Sequence, residues 1–126
     1  MATILVIDDE TGMRKIMERT LRSAGHTVLQ AKNGRDGLAL LAGASPDLVI
    51  TDILMPEMEG LETVQQIRKT RPDIKILAIS GDFGPGTVGY LGYAQAFGAA
   101  AILHKPFRPA ELLEVVDQLL SRPERA

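Results

Sequence analysis

The sequence predicts a doubly wound α/β fold, a parallel sheet covered by helices on both faces, and three observations carry that expectation. Short β-branched runs alternate with helix-period segments from one end of the chain to the other. The inner runs are apolar throughout, which implies burial on both faces, as parallel strands require. The 126 residues, 45% apolar and 24% charged, suit one domain around a single core.

The first strand is expected at Thr3–Ile7, where Ile4-Leu5-Val6-Ile7 form a continuous apolar run. The first helix then places Met13, Ile16, Met17 and Leu21 on one stripe and Arg14, Lys15, Glu18 and Arg22 on the other. It ends at Ser23-Ala24-Gly25, where glycine permits a left-handed exit. Thr27–Ala31 is mixed in polarity and suits an edge strand, whereas Leu48-Val49-Ile50 within Asp47–Thr51 belongs inside the sheet. A third helix uses Leu61, Val64 and Ile67, and a fourth strand follows at Lys75–Ile79. Beyond it Gly84, Pro85, Gly86, Gly89 and Gly92 crowd the chain, and each glycine costs ~1 kcal/mol in a helix interior. A long loop over Gly81–Val88 is therefore expected, then a short helix near Tyr90–Phe97. The fifth strand is Ala100–Leu103, and the last helix opens at Pro109 with Leu112, Leu113, Val116 and Leu120 turned inward. One domain over residues 1–121 and a frayed polar tail over 122–126 complete the chain.

Composition narrows the chemistry. Fourteen basic against sixteen acidic residues, net charge −2, supply no field for gathering polyanions, so direct nucleic-acid binding is not expected. The absence of cysteine removes disulfides, thiol catalysis and thiolate metal sites, leaving carboxylates, His26 and His104 as metal ligands. No run is long enough for a signal peptide or a membrane span, and a cytoplasmic protein is expected.

Ligands of open α/β sheets bind at the strands' carboxyl ends. Just past those ends lie Asp8 and Asp9, then Asp52, then Ser80, then Lys105. Converging carboxylates resist ionisation unless a cation neutralises them, and Mg²⁺, with its preference for oxygen ligands, answers that need. Taken singly, each residue has a plainer reading. Asp8-Asp9 would cap the first helix, Asp52 would be a turn residue and Ser80 a cap. Their joint occurrence at successive strand ends favours a site.

These residues resemble the receiver domains of two-component response regulators over nearly the whole chain. The likeness rests on Ile-Leu-Val-Ile-Asp-Asp-Glu at 4–10, Asp-Leu-Val-Ile-Thr-Asp-Ile-Leu-Met-Pro-Glu-Met-Glu-Gly at 47–60, Ser80, and Lys105-Pro106-Phe107. The resemblance implies a flavodoxin-like five-stranded sheet in the order 2-1-3-4-5. It implies that Asp52 accepts a phosphoryl group, that Ser80 and Lys105 hold phosphoryl oxygens, and that Asp8, Asp9, Asp52 and the Leu54 carbonyl serve Mg²⁺. The donor would be a histidine kinase or a histidine phosphotransfer protein. With no residues after Ala126 for an effector, output is expected through protein contact or onward transfer. The contact surface would be the face of the fourth expected helix, the fifth strand and the last helix. No turnover beyond self-phosphorylation and self-dephosphorylation is expected.

The position three before the lysine, often aromatic in that family, is Ile102 here. Tyr90, Tyr93 or Phe97, or motion of the preceding loop, would have to replace a ring switch there. Gly84-Pro85-Gly86-Thr87-Val88-Gly89 spells a dinucleotide fingerprint but does not directly follow a strand, so nucleotide binding is not expected. His104, beside Lys105, is expected as a satisfied structural histidine on the opposite sheet face, and His26 as solvated. Two rival functions draw on the same residues: an aspartyl-nucleophile phosphohydrolase, disfavoured by the contiguity of Asp8 and Asp9, and a phosphorylation-independent interaction module.

Overall fold

Each apolar run can satisfy its backbone groups away from water only beside another run, and this draws the five of them into one sheet. A computed structural model of the chain describes residues 2–53, 60–80 and 98–121. Its elements are β1 (Thr3–Ile7), α1 (Thr11–Ser23), β2 (Thr27–Ala31), α2 (Gly34–Gly43), β3 (Leu48–Asp52), α3 (Gly60–Thr70), β4 (Lys75–Ser80), β5 (Ala101–His104) and α4 (Pro109–Ser121). All strand pairs are parallel and the order is β2-β1-β3-β4-β5, as the family resemblance implied. Strands three to five each run one residue further toward the carboxyl edge than the sequence suggested, so Asp52 and Ser80 end strands rather than follow them.

Alternation along the strands divides the core into two layers. Leu5, Ile7, Val49, Ile76 and Ala78 meet Leu41 of α2 and Val64 and Ile67 of α3. Ile4, Val6, Leu48, Ile50, Leu77 and Ile79 meet Met17 and Leu21 of α1 and Leu112, Val116 and Leu119 of α4. Two helix faces differ from expectation. Ile16 is 51% exposed, because it lies about 100° around α1 from Met17 while Met13, Met17 and Leu21 follow the i, i+4 row. In α4 Leu119, in line with Leu112 and Val116, takes the central place expected of Leu120, which is only partly buried beside Leu113.

The exit of α1 is as expected. Gly25 has φ of 93°, its N–H reaches Arg22 O at 2.9 Å, and the His26 N–H reaches Leu21 O at 3.2 Å, the paired bonds of a Schellman motif. His26 is not merely solvated: it is half-buried and its Nδ1 accepts the Ala2 N–H at 3.2 Å. At the other end of the next connection, Asn33 caps α2 by accepting the Asp36 N–H at 2.8 Å. The expected loop at 81–88, the helix near 90–97 and the tail at 122–126 lie outside the described residues. Among the described residues no helix is long and apolar enough to cross a membrane.

Gly37 sets how closely α2 approaches the sheet. A Cβ there would lie 2.4 Å from Ile7 Cδ1 and 2.9 Å from Ile7 Cγ1, and Ile7 is fully buried. Gly37→Val is therefore expected to destabilise the protein by about 2 kcal/mol, within the usual range for overpacking, as measured by urea denaturation. Gly37→Ala should fall between the two, because better helix propensity offsets part of the clash.

Candidate functional site

The register β2-β1-β3-β4 aligns Ile7 with both Ala31 and Thr51, and Asp52 with Ile79, so the residues ending β1 and β3 emerge at one edge. There the chain leaves β1 into α1, and the turn is tightly held. Asp8 donates its N–H to Ala31 O at 3.1 Å, its Oδ1 accepts the Glu10 N–H at 2.8 Å, and its own carbonyl accepts from Arg14 at 2.6 Å. The N-cap position of α1 is Glu10, which makes no side-chain cap bond. Asp8 and Asp9 are therefore not the helix caps that they resemble in isolation.

Carboxylate oxygens of Asp8, Asp9 and Asp52 lie within 4.8 Å of one another, Asp8 and Asp52 buried and Asp9 exposed. Three oxygen donors at that spacing, with no nitrogen or sulfur among them, fit a hard divalent cation. Lys105 completes the cluster from the end of β5. Its Nζ is 3.0 Å from Asp52 Oδ2, 3.3 Å from Asp8 Oδ2 and 3.7 Å from the exposed Glu10 Oε1. The Lys105–Pro106 peptide bond is cis. Thr51 is buried beneath the site and donates its hydroxyl to Asp52 O at 3.1 Å.

The electrostatics follow from burial. Desolvation, the largest influence, pushes the Asp8 carboxyl above the ordinary 3.8, and the neighbouring Asp52 charge adds to it; the Glu10 N–H and Lys105 pull the other way without prevailing. For Lys105 desolvation is again the largest single influence and would lower its pKa. Asp52 and then Asp8 together outweigh it and hold the ammonium above 10.5. Asp8 thus binds more proton in the folded than in the unfolded chain between 3.8 and its raised value. Its contribution to metal-free stability falls as pH rises through that window. The stability of wild type relative to Asp8→Asn should decline across it in denaturant titrations at stepped pH; a difference that grows with pH would contradict the sign.

Of the residues expected at the site, the structure brings together Asp8, Asp9, Asp52 and Lys105. Ser80 ends β4 opposite His104, and its side chain lies outside the described residues, as does Leu54. His104 is exposed, not a satisfied structural histidine. Ile102 is half-buried against the layer containing Leu5, Ile7 and Ala78. Sequence reasoning missed Glu10 as a partner of Lys105, and placed Arg14 only on the outer helix face. The available signal was position: the first turn of a helix that starts directly after a strand-end acid can fold a long side chain back onto that strand end.

Residues 4–117 match a family model described as response regulator receiver domain. The chain is 37% identical over 94% of its length to the response regulator MprA of Mycolicibacterium vanbaalenii, covering 50% of that protein. It is 34% identical over 98% of its length to the sensor kinase CckA of Brucella abortus, covering 13% of it. The chain thus spans half or less of these curated relatives. Among solved structures, the chemotaxis protein CheY4 of Vibrio cholerae superposes with a TM-score of 0.87 at 33% identity, over 94% of this chain and 98% of that one.

Proposed function

The chain belongs to the response regulator receiver domain family, and from that premise we propose that it is a phosphorylation-activated switch whose Asp52 accepts a phosphoryl group from a histidine kinase or histidine phosphotransfer protein. One observation carries the assignment of the acceptor. Asp52 ends the central strand β3 within the acidic cluster and makes the shortest carboxylate contact with the Lys105 ammonium, 3.0 Å against 3.3 Å for Asp8 and 3.7 Å for Glu10.

In this reading an Asp52 oxygen attacks the donor's phosphorus, the donor's phosphorus–nitrogen bond breaks, and an acyl phosphate forms on Asp52. Lys105 follows the incoming charge, exchanging a carboxylate for a phosphoryl oxygen, and the Ser80 hydroxyl donates to another. Asp8, Asp9, Asp52 and the Leu54 carbonyl would hold Mg²⁺, which supplies charge neutralisation at the transferring group. Output runs through a partner protein on β5, α4 and the segment at 90–97, or by onward transfer, and the setting is cytoplasmic. The test is incubation with Mg²⁺ and a small acyl phosphate, followed by mass analysis of the peptide containing Asp52. A one-phosphate increase there is expected. No increase, or turnover of small phosphoesters in its place, would defeat the reading.

Exposure separates the roles of the adjacent acids. Asp8 is already engaged by Glu10 and Lys105, whereas Asp9 is exposed beside the other two acids. Asp9→Ala should weaken Mg²⁺ binding more than any other single change, by roughly tenfold or more, equivalent to about 1.4 kcal/mol. Calorimetric titration measures it.

A further inference from the structure

We propose that Arg14 is a positioning residue that sets the direction of the Asp9 carboxylate. The inference rests on the reading of the acidic cluster as the Mg²⁺ and phosphoryl site. Its basis is the way in which Asp8 is held. The Asp8 N–H, Oδ1 and Oδ2 are held by Ala31, by the Glu10 N–H and by Lys105. Its carbonyl is held by the Arg14 guanidinium at 2.6 Å.

That carbonyl belongs to the peptide plane joining Asp8 to Asp9. A planar peptide leaves few soft dihedrals, so fixing the oxygen on one side fixes the path on which Asp9 leaves. Asp9 is exposed and no core packing orients it, so the peptide beneath it is what aims its carboxylate at Asp8 and Asp52. Arg14 is itself held. Its backbone N–H reaches Glu10 O at 3.0 Å, and its second guanidinium nitrogen reaches Thr11 Oγ1 at 3.4 Å. The planar fork can make both side-chain contacts from one position, whereas a lysine ammonium is a single flexible point.

The side chain also lines an open groove of about 550 Å³ with Gln30, Lys32, Asp36 and Leu40. Truncating it therefore opens no cavity in either core layer. Its effect should appear at the acids and not in packing. Groups that orient metal ligands typically carry 10–100-fold in metal affinity, and this sets the expected size.

The experiment compares wild type, Arg14→Ala, Arg14→Lys and, as a control, Arg71→Ala. Arg71 donates to Leu41 O, Ala44 O and Ser45 Oγ, tying the end of α2 away from the acids. Mg²⁺ affinity is measured by calorimetry, and the Asp9 and Glu10 amide resonances are recorded in metal-free protein. Arg14→Ala should lose about tenfold in affinity and shift both amides, Arg14→Lys should recover part of each, and Arg71→Ala should lower the melting temperature with affinity unchanged. Wild-type affinity in Arg14→Ala with unmoved amides would overturn the proposal, as would an equal affinity loss in Arg71→Ala. If wild type itself takes neither Mg²⁺ nor phosphoryl, the phosphoryl-acceptor reading fails. The metal-free Asp9 amide in Arg14→Ala then still decides whether Arg14 sets the turn.

Discussion

Asp52→Asn is expected to abolish phosphoryl acceptance and leave the fold intact. The amide is a poor nucleophile at phosphorus, and of the other two acids in the described cluster Asp8 lies fully buried in its own hydrogen bonds while Asp9 stands on the connection after β1, not at the end of β3. Stability should change little, within about 1 kcal/mol, since two effects oppose each other. The substitution removes the Lys105 contact at 3.0 Å, and it also removes the Asp52 charge that helps to push the Asp8 pKa up. Lys105 keeps Asp8 and Glu10 as partners. Mass spectrometry after treatment with an acyl phosphate and Mg²⁺ reads the first claim, and urea denaturation reads the second. Undiminished labelling of the mutant would remove Asp52 from its role.

The second large effect is expected from Lys105→Met. In the metal-free protein the ammonium is the cation that neutralises buried Asp8 and Asp52, and its side chain is only 14% exposed. Removing one partner of a buried pair commonly costs 3–5 kcal/mol. Here Asp8 can relieve part of that by taking up a proton, because its pKa is already raised and would rise further. A loss of about 2 kcal/mol, or roughly 5–10 °C in melting temperature, is expected at neutral pH. Divalent cation should then restore more stability to the mutant than to wild type, because no ammonium competes for the carboxylates. Acceptance of the phosphoryl group should nevertheless fall, since a donor to its oxygens is lost. Thermal melts with and without Mg²⁺ decide the first two points. Equal Mg²⁺ stabilisation of mutant and wild type would show that Lys105 and the metal do not share the acids.

The parallel sheet was legible because hydrophobic period and strand burial are local properties of the chain; its strand order came from the family resemblance, not from periodicity. Ile4 to Ile7 are apolar at every position, so they had to be buried on both faces, whereas the mixed Thr27–Ala31 belonged at an edge. The site residues were legible for a related reason. Asp8, Asp9, Asp52 and Lys105 stand at or beside the ends of apolar strands, and a parallel sheet carries all such ends to one edge.

What the tertiary structure alone decided concerns long, polar or borderline side chains, whose environment depends on three-dimensional approach. Ile16 looked like part of a buried stripe, yet the crossing of α1 over the sheet leaves it exposed; Leu119 and Leu120 exchanged importance through the same angular detail. His26 and His104 reversed their expected settings, one accepting from the chain's second residue and the other facing water. Arg14 reads in sequence as one more solvated cation on a helix. It became a ligand of the Asp8 carbonyl only because the turn from β1 brings the first turn of α1 back over the strand end. Sequence periodicity reports which face of an element is apolar; it carries no information on where a flexible charged side chain ends, since that is set by the distance to a backbone oxygen that folding alone puts within reach.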